Sequence, residues 1–143
     1  MTISSVTQLL GGKKALGREV RTRMDLIDLS QKGVSKESLL HLAKSMGLPV
    51  SQMAALLPVT ERTIQRYAPK EHFDRVVSEY ILHLAEVVAR GVEVFEDNDR
   101  FKAWVNQPSM ALGGRSPKSL LPSRFGMDMV LDELTRIEHG VAA

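Results

Sequence analysis

The sequence contains no cysteine, few aromatic residues and no long hydrophobic run. Without cysteine the chain has no disulfide framework, no thiolate metal site and no thiol nucleophile, and a reducing compartment is natural. The apolar runs stay below the roughly 20 residues of a membrane span. The first residues also lack the basic flank and apolar stretch of a secretion signal. We therefore expect a cytoplasmic protein without a membrane partner.

The usual signs of catalysis and metal binding are also missing. No serine or threonine lies in a nucleophile-elbow sequence. The pair Asp97 and Asp99 does not continue into a calcium-binding loop. The four histidines have no ligand spacing between them (His41, His72, His83 and His139). We predict that the chain is not an enzyme and holds neither a metal nor a cofactor.

The charge is distributed unevenly between the two halves. Residues 1–71 contain 11 lysines and arginines against 6 acidic residues, whereas residues 72–143 contain 8 against 11. A basic first half and an acidic second half suggest two partners of opposite charge. Such a small charge asymmetry is also common among domains. It supports a DNA-binding first half only together with other features of the sequence.

Residues 50–67, VSQMAALLPVTERTIQRY, predict two short helices separated by a tight break. We expect Ser51 to cap the first helix and Pro58 to end it. Thr60 is placed to cap the second helix, and its Ile64 is expected to point into a core. The first helix would bury one apolar face (Met53, Ala54, Leu56 and Leu57).

The outer face of the second helix is polar and basic. A helix of this kind, held by a small helix in front of it, is the arrangement of a helix-turn-helix DNA reader. The alternative is a pair of ordinary helices with a solvated charged face, since such patterns recur by chance. Under the first interpretation the DNA-binding residues are Thr60, Arg62, Thr63, Gln65 and Arg66.

Apolar spacing predicts an all-α fold in three parts: residues 1–70, a linking and dimerising helix within 71–96, and a small helical part in 97–143. The predicted helices outside the reader pair span 2–10, 19–30, 35–46, 70–95, 100–105 and 127–139. Met24 and Ile27 are expected to face inward. The apolar stripe of the long helix, which includes Val76, is wide enough for a dimer seam as well as a core, so we expect a homodimer.

The last third contains a glycine-rich bend and a final amphipathic helix. Gly113-Gly114 forces the bend, and Pro117 takes the first position of the next helix. In the final helix, Asp132, Glu133 and Glu138 are expected to form a solvated face.

Five segments together resemble the Xre/MbcA/ParS antitoxins, which are partners of RES-domain toxins. They are TQLLGG, LGREVR, ERTIQR, FKAWVNQPSMALGGRSPKSLL and ELTRIEHGV, and they span nearly the whole chain. The most specific are NQPSMALGGRSP and RIEHG. The resemblance implies an Xre-like DNA-binding half that represses its own operon at operator DNA, and a C-terminal half that binds the toxin.

Toxins of this family consume NAD⁺, and the resemblance implies that the antitoxin's C-terminal end occludes their active site. A short apolar tail that ends in a carboxylate suits a pocket for an anionic cofactor, because the carboxylate can pair with the cationic side chains of such a pocket. By position, the toxin-binding residues are Trp104, Leu112, Gly113, Gly114, Arg115, Pro117, Ile137, Glu138, His139, Gly140, Val141, Ala142 and Ala143.

A second hypothesis comes from a different functional class. The chain would be a stand-alone helix-turn-helix transcriptional regulator with a small-ligand sensor in its C-terminal half. It would then bind its operator tightly alone and have no protein partner. Residues 113–117 would be only a loop that starts a helix.

Overall fold

The computed structural model describes residues 2–140, and within this range the fold is all-α, as predicted. The chain forms two compact units, one up to Glu86 and one from Val87 onward. The helices are α1 (Ile3–Leu9), α2 (Gly12–Leu16), α3 (Arg23–Lys32), α4 (Lys36–Met46), α5 (Val50–Ala55), α6 (Glu61–Arg66), α7 (Arg75–Phe95), α8 (Asn98–Val105), a 3₁₀ turn (Met110–Leu112), α9 (Pro117–Leu120) and α10 (Arg124–Glu138).

Helix α3 begins later than predicted, and it does not bury all of the apolar residues that we expected. A capping box with Thr22 and Asp25 starts the helix at Arg23, not at residue 19. The Asp25 carboxylate accepts hydrogen bonds from the backbone N–H groups of residues 21 and 22, and these bonds lower its pKa. The buried face then carries Leu26 and Leu29. The prediction that Met24 and Ile27 face inward is wrong, because both are mostly exposed.

The first reader-pair helix, α5, does not use Ser51 as its cap. Pro49 occupies the N-cap position without a side-chain hydrogen bond, and Ser51 lies exposed inside the first turn. Proline is favoured next to a helix start because its fixed φ matches the entry geometry. The predicted capping by Thr60 is confirmed, since its hydroxyl accepts a hydrogen bond of 3.1 Å from the Thr63 N–H.

The long helix starts at Arg75, five residues after the predicted start, because the segment before it is used elsewhere. The backbone N–H groups of Lys36 and Glu37, which open α4, donate to the carbonyls of Glu71 and Pro69 at 2.9 and 2.8 Å. These bonds satisfy donors that a helix start leaves free. Val76, a member of the predicted apolar stripe of this helix, is about half exposed.

In the C-terminal unit, α8 packs against the last turns of α7. The buried ring of Phe101 lies directly on Gly91, and a Cβ at Gly91 would overlap this ring. Gly91 weakens a helix interior by itself. The close approach of Phe101 explains why a glycine occupies this position.

We expect Gly91→Ala to destabilise the C-terminal unit by about 1–3 kcal/mol, the usual effect of overpacking. Urea unfolding measures the change. Phe101→Leu in the same chain should relieve part of the loss, so the double variant should be more stable than the sum of the single effects. A gain of about 1 kcal/mol for Gly91→Ala alone would show that helix propensity decides this position instead.

Candidate functional site

Helix α6 is held from behind by apolar packing. Ile64 is fully buried, and the apolar residues at the end of α5 are buried with it, as predicted (Met53, Leu56 and Leu57). Ala54 is half-buried. The α5–α6 pair therefore has an inner face that packs in the core and an outer face open to solvent.

The end of α6 is held by a second set of contacts. The ring of Tyr67 stacks on Phe73 with centroids 4.9 Å apart. The Lys36 ammonium donates a hydrogen bond of 2.8 Å to the Tyr67 carbonyl. The chain just after α6 also carries Pro69 and Glu71, whose carbonyls receive the first N–H groups of α4. Helix α6 is thus attached to the start of α4, which gives its outer face a defined direction.

The five predicted DNA-binding residues fall into three groups. The hydroxyl of Thr60 both caps α6 and donates to the Thr63 hydroxyl at 2.9 Å, so these two threonines serve the helix start. Gln65 is exposed, and its amide donates to Glu61 one turn earlier. Arg62 and Arg66 are exposed, and neither forms an ion pair within residues 2–140. These two guanidinium groups are available to an external anion.

In the C-terminal unit, the predicted bend is a closed loop. The Ser109 N–H donates to the Arg115 carbonyl at 3.0 Å, and the Gly114 N–H donates to the Ser109 carbonyl at 2.9 Å. Gly113 and Gly114 both have positive φ, which favours glycine. The side chain of Arg115 lies outside, while the flanking Leu112 and Pro117 are buried and anchor the loop.

Trp104 is half-buried in an aromatic cluster. Its ring lies 5.5 Å from that of Phe95 and 6.3 Å from that of Phe101, measured between centroids. One side of the indole therefore supports the junction of α7 and α8.

The end of α10 is clamped to the last turns of α7. The Arg90 guanidinium donates to both carboxylate oxygens of Glu138, at 2.8 and 2.5 Å, and also to Glu93 at 2.8 Å. The hydrogen bonds from Arg90 lower the pKa of Glu138, and those to Glu138 raise the pKa of Arg90. A bidentate arginine–carboxylate pair fixes orientation as well as distance. The clamp therefore sets where the chain leaves α10.

The remaining predicted toxin-binding residues follow this clamp. Ile137 is half-buried, His139 is exposed, and Gly140 is exposed with a positive φ that ends the helix. Val141, Ala142 and Ala143 lie outside the described residues.

The expectation of a solvated acidic face on α10 is wrong for one of its three members. Glu133 is fully buried, and its Oε2 atom accepts hydrogen bonds of 3.1 and 3.0 Å from the Arg136 guanidinium. A buried carboxylate requires a partner of this kind. Glu138 is exposed although it pairs with Arg90, and Asp132 is exposed as expected.

Sequence reasoning missed three features of this unit: the Arg90 clamp, the buried Glu133, and a set of exposed apolar side chains. No spacing rule links Arg90 to Glu138, 48 positions away. The exposed apolar residues did leave a signal, because Phe125 and Met129 fall outside the apolar stripe of the final helix. Within residues 2–140, no helix is long and apolar enough to cross a membrane, and no three acidic or histidine side chains group as metal ligands.

Two family models match the chain, one for each half. Residues 25–86 match the antitoxin Xre-like helix-turn-helix domain. Residues 90–140 match the antitoxin Xre/MbcA/ParS C-terminal toxin-binding domain. The two ranges together cover most of the chain.

Individual relatives agree with these matches. An antitoxin Xre of Yersinia enterocolitica is 29% identical over 119 residues, covering 81% of this chain and 80% of the relative. An antitoxin Xre of Photorhabdus laumondii is 30% identical over 80 residues, covering 55% and 54%. The fold resembles a chain of the M. tuberculosis MbcT–MbcA toxin–antitoxin complex, with a TM-score of 0.56, 18% identity, and coverage of 87% of this chain and 100% of the other. This chain belongs to the Xre/MbcA/ParS-type antitoxins, and it joins their Xre-like helix-turn-helix domain to their C-terminal toxin-binding domain.

Proposed function

We propose that this antitoxin neutralises a RES-domain toxin that consumes NAD⁺, and that it represses its own operon by binding operator DNA. Neutralisation occurs by occlusion: the chain beyond α10 enters the active-site cleft of the toxin. The proposal assigns one activity to each half of the chain, in agreement with the two family models.

The observation that carries the occlusion proposal is the Arg90–Glu138 clamp. A segment that must enter a narrow cleft binds more tightly when its starting point is already fixed, because less conformational freedom is lost. The clamp provides this fixed start one turn before Val141. The small side chains of Val141, Ala142 and Ala143 suit a narrow cleft.

The DNA-binding proposal rests on Arg62 and Arg66. Both guanidinium groups are exposed, and both project from a helix whose back is anchored at Ile64 and whose end is held through Tyr67. Arginine at this position of a helix-turn-helix can pair with guanine edges or with phosphates.

We further propose that the antitoxin acts as a homodimer, although the contact surface differs from the predicted seam. The apolar stripe of α7 is largely buried within one chain, so it has little left to offer a second copy. Exposed apolar residues on other helices of the N-terminal unit are the better candidates for such a contact (Met24, Ile27 and Leu40).

Deletion of Val141–Ala143 should abolish neutralisation of the co-expressed toxin and leave the free energy of unfolding unchanged. The measurements are cell growth with the toxin induced, NAD⁺ content of the cells, and urea unfolding of the purified antitoxin. Wild-type neutralisation by the truncated chain would defeat the occlusion proposal.

We expect Glu138→Gln to weaken neutralisation, because an amide cannot accept two charge-assisted hydrogen bonds from Arg90. Glu138 has a lowered pKa in the folded state, so its contribution to stability is present above the ordinary glutamate pKa and is lost as the pH falls through the folded value. The stability difference between wild type and Glu138→Gln should therefore shrink in acid. Glu96→Gln, at an exposed glutamate of the same unit, serves as the control.

Arg62→Ala and Arg66→Ala should each weaken binding to the promoter region of the operon. The binding free energy should weaken by about 1–3 kcal/mol if the arginine contacts a base edge. If it contacts a phosphate, its replacement should lower the slope of log affinity against log salt concentration by about 1. Fluorescence anisotropy at several salt concentrations separates the two cases. Arg100→Ala removes an exposed arginine of the other unit and should have no effect. If neither reader variant changes the affinity or its salt slope, α6 is not the reader.

A further inference from the structure

Helix α10 carries a stripe of exposed residues opposite its buried side. Phe125, Met129, Asp132 and Arg136 are all exposed and follow each other at steps of three or four residues, which places them on one face. The buried face carries Met127, Val130 and Leu134. We call the first set the outer stripe; it is about 16 Å long at 1.5 Å per residue.

The first half of the outer stripe is apolar, and packing in the core of the unit does not explain why. Phe125 is 85% exposed and Met129 is 47% exposed, so neither side chain contributes a full share to the core. The 3₁₀ turn that packs against α10 carries Met110, which is 88% exposed. A large exposed aromatic one helical turn from an exposed methionine is typical of an interface, since such side chains dominate binding energy once a partner covers them.

The second half of the outer stripe presents a cation held in place. Arg136 donates through Nε and Nη2 to the fully buried Glu133, which limits the rotation of the guanidinium. Its Nη1 atom has no partner within residues 2–140. A guanidinium oriented in advance loses less freedom when it pairs with a carboxylate. The Glu133 end of this pair is fully buried, whereas the Arg136 end is exposed.

We propose that the outer stripe of α10 is the anchor that gives the antitoxin its affinity for the toxin. The matching surface on the toxin is an apolar depression that receives Phe125, with a carboxylate beside it for Arg136. This inference rests on the proposed function and adds a division of roles to it: the outer stripe supplies binding energy, and the segment after Gly140 supplies inhibition.

The position of the outer stripe favours the toxin over a second copy of the antitoxin. The stripe lies entirely within residues 90–140, the range that matches the toxin-binding domain. It also lies on the helix that leads into the proposed occluding segment, so a toxin docked on α10 has that segment close to it. The N-terminal unit has exposed apolar residues of its own, which provide a separate surface for self-association.

The test compares affinity with inhibition, using the full-length antitoxin and the RES-domain toxin of the same operon. We expect Phe125→Ala to raise the Kd about 30-fold, as for a hot-spot aromatic, and Met129→Ala to raise it several-fold. At saturating concentration Phe125→Ala should still inhibit NAD⁺ consumption completely. The chain that lacks Val141–Ala143 should bind the toxin but not inhibit it. Gln8→Ala removes an exposed side chain of the N-terminal unit that lies outside every proposed contact surface, and it should leave the Kd unchanged.

Each other outcome overturns the inference in a recognisable way. If Phe125→Ala binds the toxin with the wild-type Kd and the wild-type chain inhibits the toxin, the outer stripe is not the anchor. The proposed function then still stands. A shift of Phe125→Ala from dimer to monomer by light scattering, with an unchanged toxin Kd, assigns the outer stripe to a second copy. If the wild-type chain neither binds nor inhibits the toxin, the proposed function fails and the anchor fails with it. Because Phe125 is exposed, urea unfolding should show that its replacement leaves the fold intact.

Discussion

Two neighbouring residues near the end of α7 organise the C-terminal unit. Gly91 lets the ring of Phe101 lie against the helix backbone, which positions α8. Arg90, the residue before it, binds both carboxylate oxygens of Glu138 and so positions the end of α10. The contact with Phe101 depends on the absence of a side chain at Gly91. The contact with Glu138 depends on the long, forked guanidinium group of Arg90. The aromatic cluster and the exit of the chain from α10 both depend on this pair.

The two halves meet a common requirement by different means. Each holds in place the backbone that carries its proposed contact residues. In the N-terminal unit, α6 is short, so its direction comes from the Thr60 cap, the buried Ile64 and the contacts of Tyr67. In the C-terminal unit, α10 is long enough to be rigid by itself, and its end is fixed by charge. Short elements need more external support because a single turn forms few hydrogen bonds of its own.

Helix α10 inverts the usual placement of apolar and charged side chains at two positions. Glu133 is buried and Phe125 is exposed, and each is unfavourable unless something compensates. Glu133 is compensated in part within the chain, because Arg136 donates two hydrogen bonds to its Oε2 atom, whereas its buried Oε1 atom has no hydrogen-bond partner within residues 2–140. Within residues 2–140 nothing covers Phe125. The two departures from the hydrophobic pattern of α10 therefore have different causes. The buried Glu133 belongs to an internal ion pair, and the exposed Phe125 belongs to an outward-facing surface.

Much of this architecture follows from local rules. The cap at Thr60 and the bend at Gly113 could be predicted because each depends on residues within a few positions of one another. The start of α7 was misplaced because residues 69–73 pair with residues 34–37, which no local pattern reveals. The inward placement of Met24 failed for a related reason: periodicity gives the spacing of a stripe, but packing against other helices decides which apolar residues of α3 are buried. Tertiary structure alone decided that Arg90 meets Glu138 and that Glu133 is buried, because both depend on which helices come together in space.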